Sequence, residues 1–308
     1  MMNKYLPAIV LFAYNRPKHL HKTLKSLNNN FSSSKFDLFV FCDGPKTKKD
    51  FKKIILIKKI LSKKYKFKKI KVTYRSKNLG LAKSIILGVT EILNITNSVI
   101  VVEDDLIFNK NFLNYMQKGI NYFYNNKNVG SISGYSYTDK FPINYKSEIY
   151  FSMRHASWGW ATWKHVWKKM KWNNYFIERN IYKTNFKKEF NLSGDDMYHM
   201  LNEQLKGHID TWDIVFNLNC FLLNKYCVCP KYSLVRNIGL DGTGTHCKED
   251  DRVFDNYIQN KNYFPKINDI EINFDIIQNI KKSFNTSLFK RVLLKFKKIN
   301  ILIKKNAK

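Results

Sequence analysis

Three consecutive acids follow directly on a run of apolar residues. Residues 99–102 read VIVV, and Glu103, Asp104 and Asp105 come next. Carboxylate oxygens suit Mg²⁺ or Mn²⁺, and such an ion keeps waters and binds substrate phosphates, so that one or two protein carboxylates suffice. A metal site is therefore one interpretation. The other is that Asp105 caps a helix beginning near Asn109 and that the acids stay solvated.

A glycine-containing loop supplies one further candidate metal ligand. His246 lies in the stretch GLDGTGTHC, where Gly242 and Gly244 would allow backbone N–H groups to approach a phosphate. The neutral imidazole of His246 can bind a metal or donate a hydrogen bond to a diphosphate. A loop histidine is also commonly an ordinary hydrogen-bonding residue, and the sequence leaves both interpretations open.

Five of the six tryptophans lie within residues 157–172, in SWGWATWKHVWKKMKW. An aromatic face can stack on the apolar face of a pyranose, and Trp158 and Trp160 are the candidates for contact with a sugar. Large aromatic side chains also pack in protein cores. Core packing and sugar binding both remain open at this point.

The elements that position these residues alternate between strand and helix over the first 110 residues. Apolar strand patterns occupy residues 8–14, 36–44, 69–76 and 98–105, with helical spacing between them. This alternation predicts an α/β fold in which a mostly parallel sheet is flanked by helices, with ligands beyond the carboxyl ends of the strands. Polar residues end every one of these strands: Asn15, Arg16, Asp43, Arg75 and the three acids.

The composition indicates a folded protein with an anionic partner. The formal net charge of +30 is typical of proteins that bind nucleic acid, an anionic membrane or phosphorylated substrates, although the richness in Lys, Asn, Ile and Phe can also reflect a compositional bias. Five cysteines without Cys-x-x-Cys pairs fit a reducing cytoplasm better than a disulfide or zinc framework. The short apolar run near the N-terminus reads as a strand, and no segment is long and apolar enough to cross a bilayer.

The C-terminal tail predicts a basic amphipathic helix. Its apolar residues recur at spacings of three and four among Lys and Arg: Leu288, Phe289, Val292, Phe296, Ile299 and Ile303. Such a helix binds an anionic membrane surface, so we expect a cytoplasmic protein that is peripheral on the inner face of the cell membrane. The basic helix predicted at 47–64 would add to the same face. A solvated basic terminus is the alternative.

The stretches VLFAYNRPKHLHKTLKSL, VFCDGPK, RSKNLGLAKSI and VIVVEDDLIFNKNFLNYM together resemble the nucleotide-sugar half of a GT-A glycosyltransferase. The Glu-Asp-Asp sequence resembles the variant of the Asp-x-Asp motif found in the N-acetylglucosaminyltransferase I type. SWGWATW, SLVRNIGLDGTGTHC and IDTW resemble bacterial, family 2-like sugar transferases of surface glycan synthesis. The likeness implies a GT-A domain over 1–250, with a nucleotide-sugar half at 1–110 and an acceptor half at 111–250. An extension with the basic tail would follow at 251–308.

The same resemblance implies a role for each polar strand end. Asp105 matches the direct ligand of Mn²⁺ or Mg²⁺, and His246 is the second candidate. The implied donor-binding residues are Asn15, Arg16 and Asp43 around the uridine, Arg75 and Lys83 at the base or phosphates, and Glu103 and Asp104 at the ribose and sugar. The tryptophan cluster adds Trp158 and Trp160 as candidates for contact with the donor sugar.

Inverting transfer needs a carboxylate base on the face of the sugar opposite the leaving group. The candidates, in order, are Asp210, which matches the family's Asp-x-Trp, then Asp196 and then Asp213. Asp195 follows Gly194 at a predicted helix start, where an acid is usually a cap.

These implications predict a metal-dependent, inverting glycosyltransferase that moves a sugar from a UDP donor to a hydroxyl of a lipo-oligosaccharide or surface polysaccharide. The alternative is a non-catalytic, basic protein that binds sugar or nucleic acid. We do not expect nucleic acid as a partner, because the aromatics lie in buried-type runs and the acid cluster would have no role there.

Overall fold

The computed structural model describes residues 6–241, 257–258 and 260–284. Its first part alternates strand and helix as the sequence predicts, with β1 (Ala8–Ala13), α1 (Pro17–Asn28), β2 (Asp37–Cys42), α2 (Asp50–Leu61), β3 (Lys69–Tyr74), α3 (Leu81–Ile95) and β4 (Ser98–Glu103). A short strand and a helix follow the acids, β5 (Leu106–Phe108) and α4 (Phe112–Tyr122).

The later part adds five strands and six helices within the described residues. The strands are β6 (Val129–Ser133), β7 (Ile149–Ser152), β8 (Trp160–Trp163), β9 (Tyr226–Pro230) and β10 (Val235–Asn237). The helices are α5 (Lys164–Trp167), α6 (Asn174–Ile181), α7 (Phe186–Phe190), α8 (Met197–Leu205), α9 (Asp213–Leu222) and α10 (Phe274–Ser283).

Eight strands form one sheet in the order β3-β2-β1-β4-β8-β6-β9-β7. The pairs β3–β2, β2–β1, β1–β4 and β6–β9 are parallel, whereas β4–β8, β8–β6 and β9–β7 are antiparallel. The predicted α/β fold with a mostly parallel sheet is therefore confirmed. Strands β5 and β10 form a separate antiparallel ladder that brings the chain after β10 back beside the acids.

The central strands are buried on both faces, which explains their continuous apolar runs. Every residue of β1 is buried, and so are residues 98–102 of β4. Helix α3 packs closely on this sheet through Gly88, where an added β-carbon would lie 2.7 Å from Phe12 Cε1 and 2.9 Å from Phe41 Cδ2. A glycine is needed there because any side chain would push the helix away from the strands.

A second apolar cluster lies among helices α6 to α9. Its buried members include Phe186, Phe190, Leu201 and Leu218. Helix α9 joins this cluster to the main core, because Phe216 packs in the main core while Leu218 packs in the second. Packing on both sides therefore fixes the position of α9, which starts at Asp213.

Two sequence predictions fall outside the described residues. They are the ligand role of His246 and the amphipathic helix of the basic tail. The predicted domain boundary at residue 250 also falls outside the described residues. Cys42, Cys220, Cys227 and Cys229 are free and buried. In the part of the chain that the structure describes, no helix combines the length and hydropathy needed to cross a membrane.

His155 is a buried histidine that contacts strand β6. Its Nδ1 lies 2.6 Å from Ser131 Oγ, and its Nε2 lies 3.1 Å from the carbonyl oxygen of Lys225. Burial lowers the pKa of His155 from 6.5 to about 4. The imidazole is therefore neutral in the folded protein across the physiological pH range.

We expect the protein to lose stability as the pH falls from 6.5 towards 4, because the unfolded chain protonates His155 in that window and the folded chain does not. The full contribution is about 3 kcal/mol. Urea unfolding between pH 7 and pH 4.5 measures it, and His155→Gln should lose less stability over that interval than the wild type. His21→Gln, at an exposed position, should follow the wild type. If the free energy of unfolding fell equally with pH in His155→Gln and the wild type, the expectation would be contradicted.

Candidate active site

Arg16 is the cation that faces the three acids at the end of β4. It follows β1, which is the parallel neighbour of β4, so the two strand ends meet at one edge of the sheet. Its guanidinium bonds two acids at once, with Nη2 2.5 Å from Asp104 Oδ1 and Nη1 2.9 Å from Asp105 Oδ2. Asp104 also accepts a hydrogen bond from Tyr14 N at 3.2 Å. The negative strand end is thus partly compensated by its neighbour.

One arginine does not balance three carboxyl groups, of which Asp104 and Asp105 are buried and Glu103 is half-buried. Burial, followed by the charges of Asp105 and Asp104, raises the pKa of Glu103 well above its ordinary value. Burial also raises the pKa of Asp104 to about 6, against the opposing charge of Arg16. Besides burial, the neighbouring negative charges add to both rises, because three acids face a single arginine here. The site can therefore accommodate a further cation.

Asp105 is held through its backbone by the segment that follows β10. Its carbonyl oxygen accepts a hydrogen bond from Ile238 N at 2.8 Å. Gly239 lies against the carboxylate, and a β-carbon at that position would collide with Asp105 Oδ2. The next helix begins only at Phe112, so the interpretation of Asp105 as a helix cap is wrong.

The available oxygens fit a divalent cation with a single protein ligand. Asp105 Oδ2 is bonded to Arg16, while Oδ1 makes no hydrogen bond with another described residue. Mg²⁺ and Mn²⁺ accept such a site when phosphate oxygens and water complete the shell. Within 6–241, 257–258 and 260–284, no three His, Cys, Asp or Glu side chains converge on a metal position. A site made entirely of protein ligands does not fit the described residues.

Asp43, at the end of β2, is the centre of a second polar network. Its Oδ1 accepts from Arg75 Nη1 at 2.9 Å and from Ser84 Oγ at 3.2 Å. Its Oδ2 accepts from Leu79 N at 3.0 Å. The Arg75 guanidinium also lies over the ring of Phe41, 5.1 Å from the centroid. Arg75 therefore holds Asp43 in place, and its charge is already used within the protein.

Asn15 belongs to a third network, at the start of α2. Its Nδ2 donates to Asp50 Oδ1 at 2.8 Å, and Asp50 Oδ2 accepts from Tyr14 OH at 2.9 Å and Thr47 N at 2.8 Å. The bond from Asn15, with those from Thr47 and Tyr14, outweighs burial and lowers the pKa of Asp50. The amide of Asn15 thus ties the end of β1 to helix α2.

Arg154 connects two of the candidate bases. It makes a bidentate pair with Asp196, at 2.7 Å and 3.0 Å. Burial would lower the pKa of Arg154, but the charge of Asp196 and then those of Tyr137 and Asp213 raise it. Asp213 also adds to the raised pKa of Glu103, after burial and the other two acids. The charge of Asp213 therefore acts on both the acid cluster and Arg154.

Asp210, the first-ranked candidate, lies beside the N-terminus of α3. A β-carbon at Gly80, the residue before that helix, would be 3.6 Å from Asp210 Oδ2. Asp210 and Lys83 line a cavity of about 190 Å³ together with Trp212. Because a helix N-terminus favours a negative charge, Asp210 also has a structural explanation.

The two predicted sugar-stacking tryptophans differ in burial. Trp160 is 1% exposed and stacks on Trp212 with ring centroids 4.6 Å apart, so core packing accounts for it. Trp158 is half-buried and lies edge-on to Tyr135 at 4.8 Å. Of the pair, only Trp158 offers a substantial surface to a ligand.

Arg154 and Ser84 are not among the residues predicted from the sequence. Arg154 comes two residues after β7. It is a polar residue at a strand end, like the candidates chosen from the sequence, but β7 was not recognised as a strand. Ser84 is an ordinary serine within a helical pattern, and its bond to Asp43 depends on how α3 packs. No pattern in the sequence signals that contact.

Strands in the order β3-β2-β1-β4, with acids at the carboxyl end of β4, are consistent with the GT-A fold. Residues 8–198 match the family model described as Glycosyl transferase family 2. The chain therefore belongs to glycosyl transferase family 2.

Solved structures give more distant likenesses, and no curated protein matches the sequence. S. aureus TarS 1–349 is 14% identical with a TM-score of 0.44, over 76% of this chain and 61% of that one. The complex of TarS 1–349 with UDP is 14% identical with a TM-score of 0.41, over 73% of this chain and 57% of that one. The mannosyltransferase PcManGT from Pyrobaculum calidifontis, in complex with GDP-Man and Mn²⁺, is 8% identical with a TM-score of 0.41. This likeness covers 72% of this chain and 70% of that one. The chain thus spans less than two thirds of the TarS segment, and these likenesses assign no substrate to it.

Proposed function

We propose that the chain is a metal-dependent, inverting glycosyltransferase of the N-acetylglucosaminyltransferase I type that uses a UDP-sugar. The observation that carries the proposal is the acid cluster at the end of β4, in which three acids face the single cation Arg16. A transferase site needs positive charge for the leaving diphosphate, a pocket for the nucleoside and a base for the acceptor. Each of these tasks has a candidate among the residues at this sheet edge.

Asp43 is the candidate for uracil recognition. Its carboxylate is only 5% exposed and is fixed by Arg75, Ser84 and the Leu79 amide. Oδ2 receives only the Leu79 amide from the described residues, which leaves it a lone pair for the uracil N3–H. Arg75 and Ser84 are then positioning residues for Asp43.

Asp105 is the candidate for holding Mn²⁺ or Mg²⁺, and His246 stays a second candidate outside the described residues. When bound, such an ion supplies positive charge that stabilises the leaving diphosphate. Lys83 is exposed on the first turn of α3 and can bind a phosphate directly. Asp104 holds Arg16, and Glu103 makes no hydrogen bond with another described residue, so its carboxyl group is available to a hydroxyl of the donor sugar.

The contacts favour Asp213 over Asp196 and Asp210 as the base. Asp196 is committed to Arg154 through both oxygens, which makes it a poor proton acceptor. Asp213 uses Oδ1 to accept from Ile214 N at 2.9 Å, which fixes its orientation and leaves Oδ2 for an acceptor hydroxyl.

The acceptor and the location are also part of the proposal. The resemblance at SWGWATW and IDTW favours a lipo-oligosaccharide or surface polysaccharide acceptor. The basic tail supports a cytoplasmic enzyme held on the inner face of the cell membrane, close to a lipid-linked glycan.

Replacement of Asp43 should change the choice of nucleotide. We expect the wild type to bind UDP more tightly than CDP by tenfold or more, because cytosine presents an acceptor where uracil presents N3–H, an expected cost on the order of 1–3 kcal/mol. Asp43→Asn should bring the two affinities within about threefold, since an amide can serve either base. Calorimetric titration with Mn²⁺ present measures the ratio of the two affinities. A partial loss of folded protein would affect both nucleotides equally and so would leave this ratio unchanged. An unchanged UDP preference in Asp43→Asn would remove uracil recognition from this residue.

The proposed function is tested with the purified chain and a panel of UDP-sugars. We expect UDP release that requires Mn²⁺ or Mg²⁺ and is abolished by chelation, together with a raised melting temperature in the presence of donor and metal. A chain that turns over no nucleotide sugar and instead retains DNA in a salt-dependent manner would favour the basic nucleic-acid-binding alternative.

A further inference from the structure

Helix α2 and its flanks carry the densest positive charge in the described structure. Residues 46–71 contain 13 lysines in 26 positions, against 47 lysines in all 308 residues, so a uniform compositional bias does not explain the density. The segment has one acid, Asp50, which is buried and bonded to Asn15. In the part of the chain that the structure describes, no ion pair joins any of the 13 lysines to an acid.

The outer side of α2 is apolar as well as basic. Phe51, Ile55 and Leu56 are 57%, 64% and 50% exposed, although Asp50, Ile54, Ile57 and Leu61 already bury the inner side of the helix. Lysines share the outer side, at positions 52, 58 and 59. Since residues four apart lie on one helix face, Phe51, Ile55 and Lys59 form a continuous stripe. We call this the outer face of α2.

Large apolar side chains among unpaired lysines fit one kind of surface better than others. A phosphate backbone of nucleic acid would use the lysines and leave Phe51, Ile55 and Leu56 in water. A second protein surface would have to supply many acids, and this chain has few: 24 Asp and Glu in total. An anionic bilayer takes both, because its headgroups attract the lysines and its acyl boundary accepts the apolar side chains.

We infer that the outer face of α2 docks the catalytic domain on an anionic lipid bilayer. The face is distinct from the C-terminal tail and does not depend on the donor, metal or base assigned above. Helix α2 begins at Asp50, whose carboxylate bonds Asn15 at the carboxyl end of β1. Docking through α2 therefore holds the edge of the sheet that carries the acids close to the membrane surface, where a lipid-linked acceptor would be found.

The test is co-sedimentation of the full chain with vesicles of phosphatidylcholine alone and with added phosphatidylglycerol, without nucleotide sugar. We expect binding that requires the anionic lipid. Phe51→Gln/Ile55→Gln should weaken it about tenfold, and Lys52→Gln/Lys59→Gln should weaken it by about fivefold for each lysine. Hydrogen exchange should show protection of residues 50–61 by the anionic vesicles.

Matched controls separate the outer face of α2 from general charge and hydrophobicity. Ile95→Gln/Phe274→Gln removes two equally exposed apolar residues elsewhere, and Lys187→Gln/Lys188→Gln removes two exposed lysines of α7. Both should bind vesicles like the wild type. The inference is overturned if the α2 variants bind like these controls, as they would if the tail alone held the protein. It is also overturned if the α2 substitutions abolish retention of DNA but leave vesicle binding unchanged.

Discussion

The Asp105→Asn variant should lose about 100-fold or more in kcat for transfer from a UDP-sugar, the scale expected when a group that stabilises the leaving charge is removed. Asp105 bonds Arg16 through Oδ2, and its Oδ1 accepts no hydrogen bond from a described residue, which leaves that oxygen for the cation. An amide keeps the shape and can still accept from Arg16, so the fold should survive while the cation loses its charged ligand. Initial rates over a series of Mn²⁺ concentrations measure the effect.

The same experiment needs a carboxylate outside the site as its control. Asp139→Asn removes an exposed acid from the loop between β6 and β7 and should retain wild-type rates. Wild-type turnover by Asp105→Asn, at the same Mn²⁺ requirement, would show that the cation is held elsewhere.

The Asp213→Asn variant should lose about 10²- to 10⁴-fold in kcat, the range for removal of a general base, with the Kd for UDP unchanged. Asparagine retains the oxygen that accepts from Ile214 N, so helix α9 keeps its first turn. The acceptor hydroxyl then has no group to take its proton. Steady-state rates with saturating donor, together with calorimetric titration of UDP, separate the chemical step from donor binding.

Two further variants distinguish the candidate bases. Asp210→Asn should change kcat by less than about tenfold, because the α3 N-terminus explains its charge. Asp196→Asn should lower the melting temperature, because it leaves the buried Arg154 guanidinium with half of its bidentate pair. A loss of kcat in Asp210→Asn that matches or exceeds the loss in Asp213→Asn would restore Asp210 as the base.

The sheet edge was predictable because parallel strands carry a local signal. Apolar runs that stop at polar residues identified β1 to β4, and their shared direction placed Arg16, Asp43 and the acids at one edge. Such runs indicate parallel strands only where helices separate them. Beyond β4, strands pair in both directions, so the polar residue that follows β7, Arg154, was not identified.

The pairing of charges was harder to predict than their location. From the sequence, Arg75 was predicted to bind the base or phosphates and Asn15 to bind the uridine. In the structure, Arg75 bonds Asp43 and Asn15 bonds Asp50. Those contacts depend on distances in the fold between strand ends and helix starts, and the spacing of residues along the sequence does not determine these distances. The same limit applies to Trp160, whose burial depends on the packing of α9 against β8.

Manganese binding observed by electron paramagnetic resonance tests the central claim most directly, namely that Asp105 helps hold a divalent cation together with the donor diphosphate. With UDP present, the wild type should bind one Mn²⁺ per chain and diminish the signal of the free ion, whereas Asp105→Asn should leave that signal nearly unchanged. Equal Mn²⁺ binding by the two proteins would contradict the account.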